Sequence, residues 1–507
     1  SHCCMVMGKP CPFGMVCNHM VIEKDIESNG SAELLTKVEK LQHQGLLLQK
    51  EGELDLAVSV YQRVIELGGD SAQTRFNLGA ARLKQIRPNE AIEHFKAGVH
   101  LKPDEEGLHL GIANAYKLMG NLEAAETHLE KELEVCPESI QAAVNLGWML
   151  EEQNRVPEAL IQYRKAMYYN VNDPVLRWNH GLACLRLGDY SRGWRDYEYR
   201  WDALKKQKPP SYGTPKWNGE PLTGRRLLLH SEQAFGDSIM FARFALRLAR
   251  ANESVYLQCQ PQLKRLFSAQ DELRAVLGMN EPAPEHDVHA SLMSLPHLMH
   301  LTRETDMSSQ PYLKLNDQNL EPLPAKVNSD SKLVAIAWSS APNSEITEKK
   351  SIPYGEFQQL FKVPGCHFYS VQVNADDATI TNLKRQPNVS NLSRSIIDFK
   401  DTADYLRQMD LVISVDTATA HLAGAMGIPT WVLLPYAADW RWRMHRNDSP
   451  WYPTMRLFRQ QRAGDWGQVL EEVGHCLYNY GAQISSSRLN SAEAGSIFPN
   501  KLPIVTA

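Results

Sequence analysis

Small and bulky apolar positions recur at a fixed spacing through the first half of the chain. Small residues return every 34 residues at two positions of this pattern, and a bulky apolar residue returns at a third. The first set is Gly45, Gly79, Ala113, Gly147 and Gly181; the second is Ala57, Ala91, Ala125, Ala159 and Gly193; the third is Tyr61, Phe95, Leu129, Tyr163 and Tyr197. The pattern predicts five helix pairs, in which small residues let two helices approach and the bulky residue fills the gap between them.

A 34-residue step with these residue types resembles the tetratricopeptide (TPR) repeat. The resemblance implies a helical solenoid of five repeats over residues 38–207, whose concave face is a groove for a protein or peptide. The alternative is an array that only positions the rest of the chain. Gly52, Gly120 and Gly188 are predicted to lie in the turns within the repeats.

The hydrophobic pattern changes after the array. Residues 208–224 lie in a stretch rich in proline and glycine, which predicts a linker. Beyond it, short apolar runs alternate with helical patterns; the runs are RRLLLH, SVYLQ, LVAIAW, HFYSVQV, LVISV and TWVLLP. This alternation predicts two Rossmann-like α/β halves, at residues 225–320 and 331–480, with a ligand cleft at the carboxyl ends of the strands. Residues 1–37 are predicted to form a flexible cysteine-rich segment, and residues 481–507 a tail.

One stretch, LVISVDTATAHLAGAMGIP, places an acid, a hydroxyl and an imidazole directly after a buried strand. Asp416 is predicted to cap a helix that starts at Thr417. The amino terminus of such a helix, with free N–H groups, is suited to hold a phosphate, and His421 lies one turn further on. The alternative is structural: Asp416 only caps, Thr417 fills the first turn, and His421 is a satisfied core residue.

Six ordered blocks resemble bacterial glycosyltransferases that carry TPR arms, and their catalytic part is similar to the heptosyltransferase family of the GT-B fold. The blocks are HSEQAFGDSIMFARFA, AIAWSS, KKSIPYGEF, FYSVQV, DFKDTADYLRQMDLVISVDTATAHLAGAMG and LLPYAADWRWRMHRNDSPWYPTMRLFRQ. The resemblance covers roughly residues 174–470. It implies an α plus α/β chain whose second part is a GT-B enzyme.

The resemblance also assigns roles to residues. Asp237 is implied as the catalytic base. The implied donor-binding residues are Trp338, Ser339, Lys350, Gln372, Asp416, Thr417, Ala418 and His421, and the further cleft residues are Gln233, Gly236, Trp440 and Arg441. Ala418 stands where the family pattern has a glycine, so a heptose donor is not implied. Trp440, Arg441, Trp442 and Arg443 are expected to stack on a sugar or base, or else to form a packed loop at the cleft edge.

The function implied is an inverting glycosyltransferase that moves a sugar from a nucleotide-sugar donor to a protein acceptor recruited by the array, with flagellin as one instance. The nucleotide-sugar is a co-substrate, and no separate cofactor is expected. No metal is expected either, because no Asp-x-Asp pair follows a strand. Two alternatives remain: a sugar transferase of envelope glycan or lipopolysaccharide synthesis, and a non-catalytic TPR scaffold.

The net charge and the distribution of cysteines bear on the expected binding partners and cellular location. The net charge of −5 gives no sign of general nucleic-acid binding, and no uncharged apolar run is long enough to span a membrane. Five scattered cysteines, Cys136, Cys184, Cys259, Cys366 and Cys476, are typical of free thiols in a reducing compartment. With no signal peptide recognised, a cytoplasmic location is expected. The remaining four cysteines crowd the first 17 residues beside His2 and His19, as a flexible appendage or a metal-binding tract.

Overall fold

The computed structural model describes residues 29–204, 210–232, 234–252, 254–307, 310–315, 320, 322–324, 330–340 and 345–490. The chain separates into two compact units, with the boundary between Pro209 and Pro210. The first unit is helical, and the second contains parallel sheets.

The first unit consists of consecutive helices, of which α1–α10 form five pairs and are called the helical array below. Their bounds are α1 Asn29–Glu51, α2 Leu54–Glu66, α3 Ala72–Lys84, α4 Pro88–Leu101, α5 Leu108–Leu118, α6 Leu122–Val135, α7 Ile140–Glu152, α8 Val156–Tyr169, α9 Pro174–Leu187, α10 Tyr190–Tyr197 and α11 Arg200–Leu204. The five pairs confirm the phase predicted from the 34-residue step.

Close helix packing explains why small residues recur in the array. A Cβ atom added to Gly45 would lie 2.5 Å from the Tyr61 ring, and one added to Gly79 would lie 2.7 Å from the Phe95 ring. These distances are too short for real contacts, so a larger residue at either position would force the two helices of its repeat apart. The predicted pairing of small and bulky residues is therefore confirmed at these two repeats.

The turn within each repeat has the same left-handed backbone at one position. Glycine occupies it in the first, third and fifth repeats, and Ile86 and Asn154 occupy it in the second and fourth with φ of 60° and 61°. Left-handed φ is tolerated by asparagine but is strained for a β-branched residue such as isoleucine.

The second unit contains two parallel sheets. The four-stranded sheet has the order β3-β2-β1-β4, and the six-stranded sheet has the order β10-β9-β8-β5-β6-β7. The strands are β1 Leu227–His230, β2 Val255–Cys259, β3 Ala275–Gly278, β4 Val288–Ser291, β5 Lys332–Ala337, β6 Cys366–Ser370, β7 Val389–Asn391, β8 Leu411–Val415, β9 Thr430–Leu434 and β10 Met455–Arg459. Parallel pairing requires crossover connections, which the helices between the strands provide.

The helices of the second unit are α12 Phe235–Ala251, α13 Pro261–Ser268, α14 Leu295–Leu298, α15 Glu304–Met307, α16 Glu345–Lys350, α17 Tyr354–Phe357, α18 Asp377–Lys384, α19 Phe399–Leu406, α20 Ala418–Ala425 and α21 Trp466–Asn490. In the six-stranded sheet, β5 lies between β6 and β8, so the strand order reverses there. Ligands of open parallel sheets bind beyond the carboxyl ends of the strands at such a reversal. This places the expected ligand position beside the ends of β5 and β8.

The predicted linker 208–224 is more than a spacer. From Pro210 onward it belongs to the second unit, and the Trp217 backbone N–H donates to the His289 carbonyl at 2.8 Å. The Trp217 side chain is buried. The Pro- and Gly-rich composition that predicted a linker reflects an irregular segment packed along β4.

Two other predicted boundaries also differ. Helix α1 begins at Asn29, inside the segment 1–37 that was predicted to be flexible, and α21 runs to Asn490, inside the predicted tail 481–507. The cysteine- and histidine-rich start of the chain, with its proposed metal-binding tract, lies outside the described residues.

Candidate functional site

Several of the predicted site residues lie where the strand order of the larger sheet reverses. Trp338 and Ser339 follow β5, and Asp416 and Thr417 follow β8. Lys350 is the last residue of α16, on the connection from β5 to β6. The topology therefore brings together residues that are up to about eighty positions apart in the sequence.

Lys350 and Asp416 form a buried ion pair at this position. The lysine Nζ donates to Asp416 Oδ2 at 2.5 Å, and both side chains are at most 10% exposed. Burial alone lowers the pKa of Lys350, but the carboxylates of Asp416 and Asp439 outweigh it and hold that pKa above its ordinary value. Burial likewise raises the pKa of Asp416, and the Lys350 charge reverses this and holds it below its usual range. Both groups are therefore charged at neutral pH.

The predicted helix cap at Asp416 is wrong. Thr417 is the residue that precedes the first turn of α20, and its side chain makes no capping hydrogen bond. Asp416 binds Lys350 instead, and the Thr417 hydroxyl lies 3.0 Å from the Ser414 hydroxyl. Because neither side chain occupies the first N–H groups of α20, these donors are left available to an anion.

His421 is a neutral, buried side chain packed against aromatic rings. Its ring stacks on Trp442 with 5.2 Å between centroids, and Nδ1 lies 3.0 Å from the Tyr452 hydroxyl. Nε2 lies 3.9 Å from Asp416 Oδ1, which is longer than a hydrogen bond. Burial lowers the pKa of His421 to about 4, so the ring is uncharged at pH 7.

Asp237 enters the same region from the smaller sheet. It lies in the first turn of α12, where one of its oxygens accepts from the Ala234 N–H at 3.2 Å and the other binds Arg441 Nη2. Arg441 also donates from Nη1 to Asp439 Oδ1 at 2.6 Å. Burial raises the pKa of Asp439, but the charges of Arg441 and Lys350 hold it well below the ordinary value.

The first turns of α12 and α20 lie against each other. A Cβ atom on Gly236 would lie 2.8 Å from His421 Cδ2 and 3.5 Å from the Ala418 Cα. Glycine at position 236 is therefore what permits this approach. The six residues gathered around the two turns are called the charged cluster: Asp237, Lys350, Asp416, His421, Asp439 and Arg441.

Two predicted donor-binding residues, Trp338 and Gln372, contact other parts of the protein, and the hydroxyl of a third, Ser339, donates to the Ser340 carbonyl at 3.0 Å. The Trp338 ring packs on Tyr354 and Phe357 at 5.5 and 5.9 Å in the hydrophobic core. Gln372 Oε1 accepts from the backbone N–H groups of Trp338 and Ser339 at 3.1 and 3.0 Å, and its amide donates to the Ser339 carbonyl. Gln372 thus holds the turn after β5 through these hydrogen bonds. The Trp338 ring anchors the start of the same turn in the hydrophobic core.

The two predicted cleft residues of the last block are buried. Trp440 packs edge-on against Trp451 at 5.9 Å, and the Arg441 guanidinium lies 4.3 Å from the Trp440 ring. The packed-loop alternative therefore describes Trp440 in this structure. Gln233 lies outside the described residues.

Sequence reasoning missed three members of this region: Asp439, Tyr452 and Arg243. The first two stand in the block DWRWRMHRNDSPWYP, whose density of charged and aromatic residues was the available signal. Arg243 lies two turns after Asp237 on α12 and donates to the Trp451 carbonyl at 2.7 Å. Its partner is distant in sequence, so no local pattern identified it.

No group of three or more His, Cys, Asp or Glu side chains in the described part of the chain is arranged to hold a metal ion. Among the same residues, no helix is both long enough and apolar enough to cross a membrane.

Comparison with known proteins bears on the array and on the whole chain. The tetratricopeptide repeat family matches residues 44–106 and 110–174. Protein FlbA of Caulobacter vibrioides is 23% identical over 443 residues, which cover 82% of this chain and 74% of FlbA. The helical array therefore contains TPR repeats and is called the TPR array below, and the chain has weak similarity to FlbA.

Two solved structures resemble part of the chain. A thermophilic TPR protein from Thermus thermophilus is 19% identical, with 34% of this chain and 93% of that one covered and a TM-score of 0.29. PilF of Pseudomonas aeruginosa is 14% identical, with 45% and 87% covered and a TM-score of 0.33.

Proposed function

We propose that this protein is a glycosyltransferase of the GT-B type, which transfers a sugar from a nucleotide-sugar to a protein acceptor bound by the TPR array. The observation that carries the proposal is the charged cluster. A carboxylate from the first turn of α12 meets an ammonium, a guanidinium and an imidazole beside the amino terminus of α20. Sugar transfer needs the same combination: a base for the acceptor and cationic groups for the departing diphosphate.

The proposed reaction is a single displacement. Asp237 takes the proton of the acceptor hydroxyl while the hydroxyl oxygen attacks the anomeric carbon of the donor. The bond from that carbon to the phosphate oxygen breaks, and its electron pair leaves with the nucleoside diphosphate. Attack and departure on opposite faces invert the anomeric configuration. Lys350 and the free N–H groups of α20 stabilise the charge on the leaving diphosphate.

The acceptor is proposed to be a protein because five TPR repeats form an extended binding surface. The similarity to FlbA supports a joint function of the two units, because 443 aligned residues extend well beyond the repeats. Flagellin is the acceptor we favour, on the resemblance to TPR glycosyltransferases. The proposed reaction uses no metal, and the nucleotide-sugar is its only co-substrate.

A non-catalytic TPR scaffold is the second candidate. It is favoured by the internal pairing of the charged cluster, since Asp237 and Asp416 each bind a cation of the protein itself. Pairs of this kind also occur as purely structural features.

Donor turnover separates the two candidates. The full chain is incubated with UDP-, GDP-, dTDP- and ADP-linked sugars, and release of the nucleoside diphosphate is followed by chromatography and mass spectrometry. The glycosyltransferase predicts slow release from one donor, faster release with the correct acceptor, and persistence in EDTA. The scaffold predicts release from none. Glu304→Gln is the matched control, because it neutralises a carboxylate that pairs with Arg443 and Arg446 outside the charged cluster.

A further inference from the structure

Both cations of the charged cluster are already paired with its carboxylates. Its carboxylates are those of Asp237, Asp416 and Asp439, its cations are Lys350 and Arg441, and His421 is neutral at pH 7. Each of the five charged side chains is at most 10% exposed. A diphosphate cannot be added to such a cluster unchanged, because a further buried anion needs cationic partners of its own. A carboxylate that releases its cation would supply such a partner.

Arg441 is the cation with a partner that can be released. Asp439, one carboxylate that it binds, lies two residues earlier and also accepts the Arg441 backbone N–H at 3.1 Å, so it is tied to the local turn. Asp237, another, comes from α12 and is 204 positions away in the sequence. Separating Asp237 from Arg441 leaves the turn around Arg441 intact.

Lys350 has no comparable choice. Its partner Asp416 directly follows β8. This strand pairs with β5, the strand that precedes Lys350. A lysine ammonium carries three donors, so Lys350 can bind an anion while it remains paired with Asp416.

Arg243 keeps α12 in place during such a separation. Its guanidinium donates to the carbonyls of Met307 and Trp451 at 2.8 and 2.7 Å and lies 4.5 Å from the Tyr452 ring. These contacts do not involve the charged cluster's carboxylates. A shift of the Asp237 side chain therefore does not require α12 to leave its neighbours.

We propose that the Asp237–Arg441 ion pair is an exchange contact, in which the diphosphate of the nucleotide replaces the Asp237 carboxylate on Arg441. The planar guanidinium matches two phosphate oxygens as well as it matches a carboxylate. The displaced Asp237 is then free to accept the proton of the acceptor hydroxyl. This inference rests on the proposed function, and it makes Arg441 a diphosphate-binding residue and donor binding the first step of the reaction.

The exchange is tested by calorimetry with inorganic pyrophosphate, which carries the shared chemistry of every nucleoside diphosphate. The full chain is compared with Asp237→Asn and Glu304→Gln. Removing the competing carboxylate is expected to tighten pyrophosphate binding about tenfold in Asp237→Asn, the scale of one charge-assisted hydrogen bond. Glu304→Gln should bind like the unmodified chain. Thermal melts of all three proteins establish that they are folded.

The outcomes distinguish this inference from the proposed function. Tighter binding in Asp237→Asn, or binding that appears only in that variant, supports exchange. Unchanged or weaker binding in folded Asp237→Asn, while the unmodified chain binds, overturns exchange and leaves the nucleotide site standing. Binding by neither protein overturns both.

If Asp237→Asn does not fold, the exchange is tested with Arg441→Lys instead. This variant keeps the positive charge beside Asp237 but loses the guanidinium fork, so exchange predicts about tenfold weaker pyrophosphate binding. Unchanged affinity would overturn the exchange.

Discussion

The two units of this protein satisfy their buried polar groups over very different distances along the chain. In the TPR array, Asn145 donates to Asn114 and Arg186 to the Glu151 carbonyl, across 31 and 35 positions. In the second unit, the Asp237–Arg441 and Arg243–Trp451 contacts span 204 and 208 positions. An array built from contacts between neighbouring repeats can be predicted from a local period. A site built from distant segments depends on the topology of the sheets.

The largest expected effect is a loss of sugar transfer by a variant of the second unit that still folds. Asp237→Asn should reduce sugar transfer about 100- to 10,000-fold, because it removes the proposed base. Rates are measured with the donor identified in the panel and its protein acceptor. Glu304→Gln should retain transfer. Near-normal transfer by Asp237→Asn would remove Asp237 from the proposed mechanism.

The strands show what sequence patterning detects. The six apolar runs correspond to β1, β2, β5, β6, β8 and β9, all of which have neighbours on both sides. The four strands not predicted, β3, β4, β7 and β10, are the edges of the two sheets. Inner strands of parallel sheets are covered on both faces and read as apolar runs, whereas edge strands such as VSN and VHAS need not.

The site was predicted in part for a similar reason. Asp237, Lys350, Asp416, His421 and Arg441 were singled out from four separate blocks, and the structure brings them together. Their mutual pairing was not predictable, because the carboxylate that Arg441 binds is set by the packing of α12 on α20. The local sequence also could not show that the Gln372 side chain would form hydrogen bonds with the backbone that follows β5.

The next effect compares one histidine of lowered pKa in each unit. Burial lowers the pKa of both His421 and His128 to about 4, with His109 adding to the shift at His128. Between pH 6.5 and about 4, the unfolded chain binds a proton that each folded histidine does not, so the free energy of unfolding falls as the pH drops through this window.

Replacing His421 should remove that pH dependence. We expect the loss of stability from pH 7 to pH 5 to be smaller by about 2 kcal/mol in His421→Gln, since each pH unit is worth about 1.4 kcal/mol per proton. His128→Gln should show a smaller change of the same sign, because His128 is only half-buried. Urea unfolding at both pH values measures the difference. An unchanged pH dependence in His421→Gln would show that His421 is not held neutral by burial.

The smallest effect concerns a turn of the array. Ile86→Asn should stabilise the protein by about 1 kcal/mol, because asparagine tolerates the left-handed φ of 60° that strains isoleucine. Ile86 is 74% exposed, so little apolar burial is lost. Asn154, which holds the equivalent turn of the fourth repeat, is the internal precedent. Thermal unfolding should show a higher melting temperature for Ile86→Asn, and its affinity for nucleoside diphosphates should not change. A lower melting temperature would contradict the strain at Ile86.

The central claim is that the reversal of strand order in the larger sheet binds the diphosphate of a nucleotide. Calorimetry of the full chain with ADP, GDP, UDP and dTDP in EDTA, repeated with Lys350→Ala, tests it most directly. The account predicts that at least one of them binds without metal, and that Lys350→Ala weakens this binding about 10- to 150-fold, the equivalent of one lost charge-assisted hydrogen bond of roughly 1.5–3 kcal/mol. Binding of none of the four, or equal affinity in a folded Lys350→Ala variant, would contradict it.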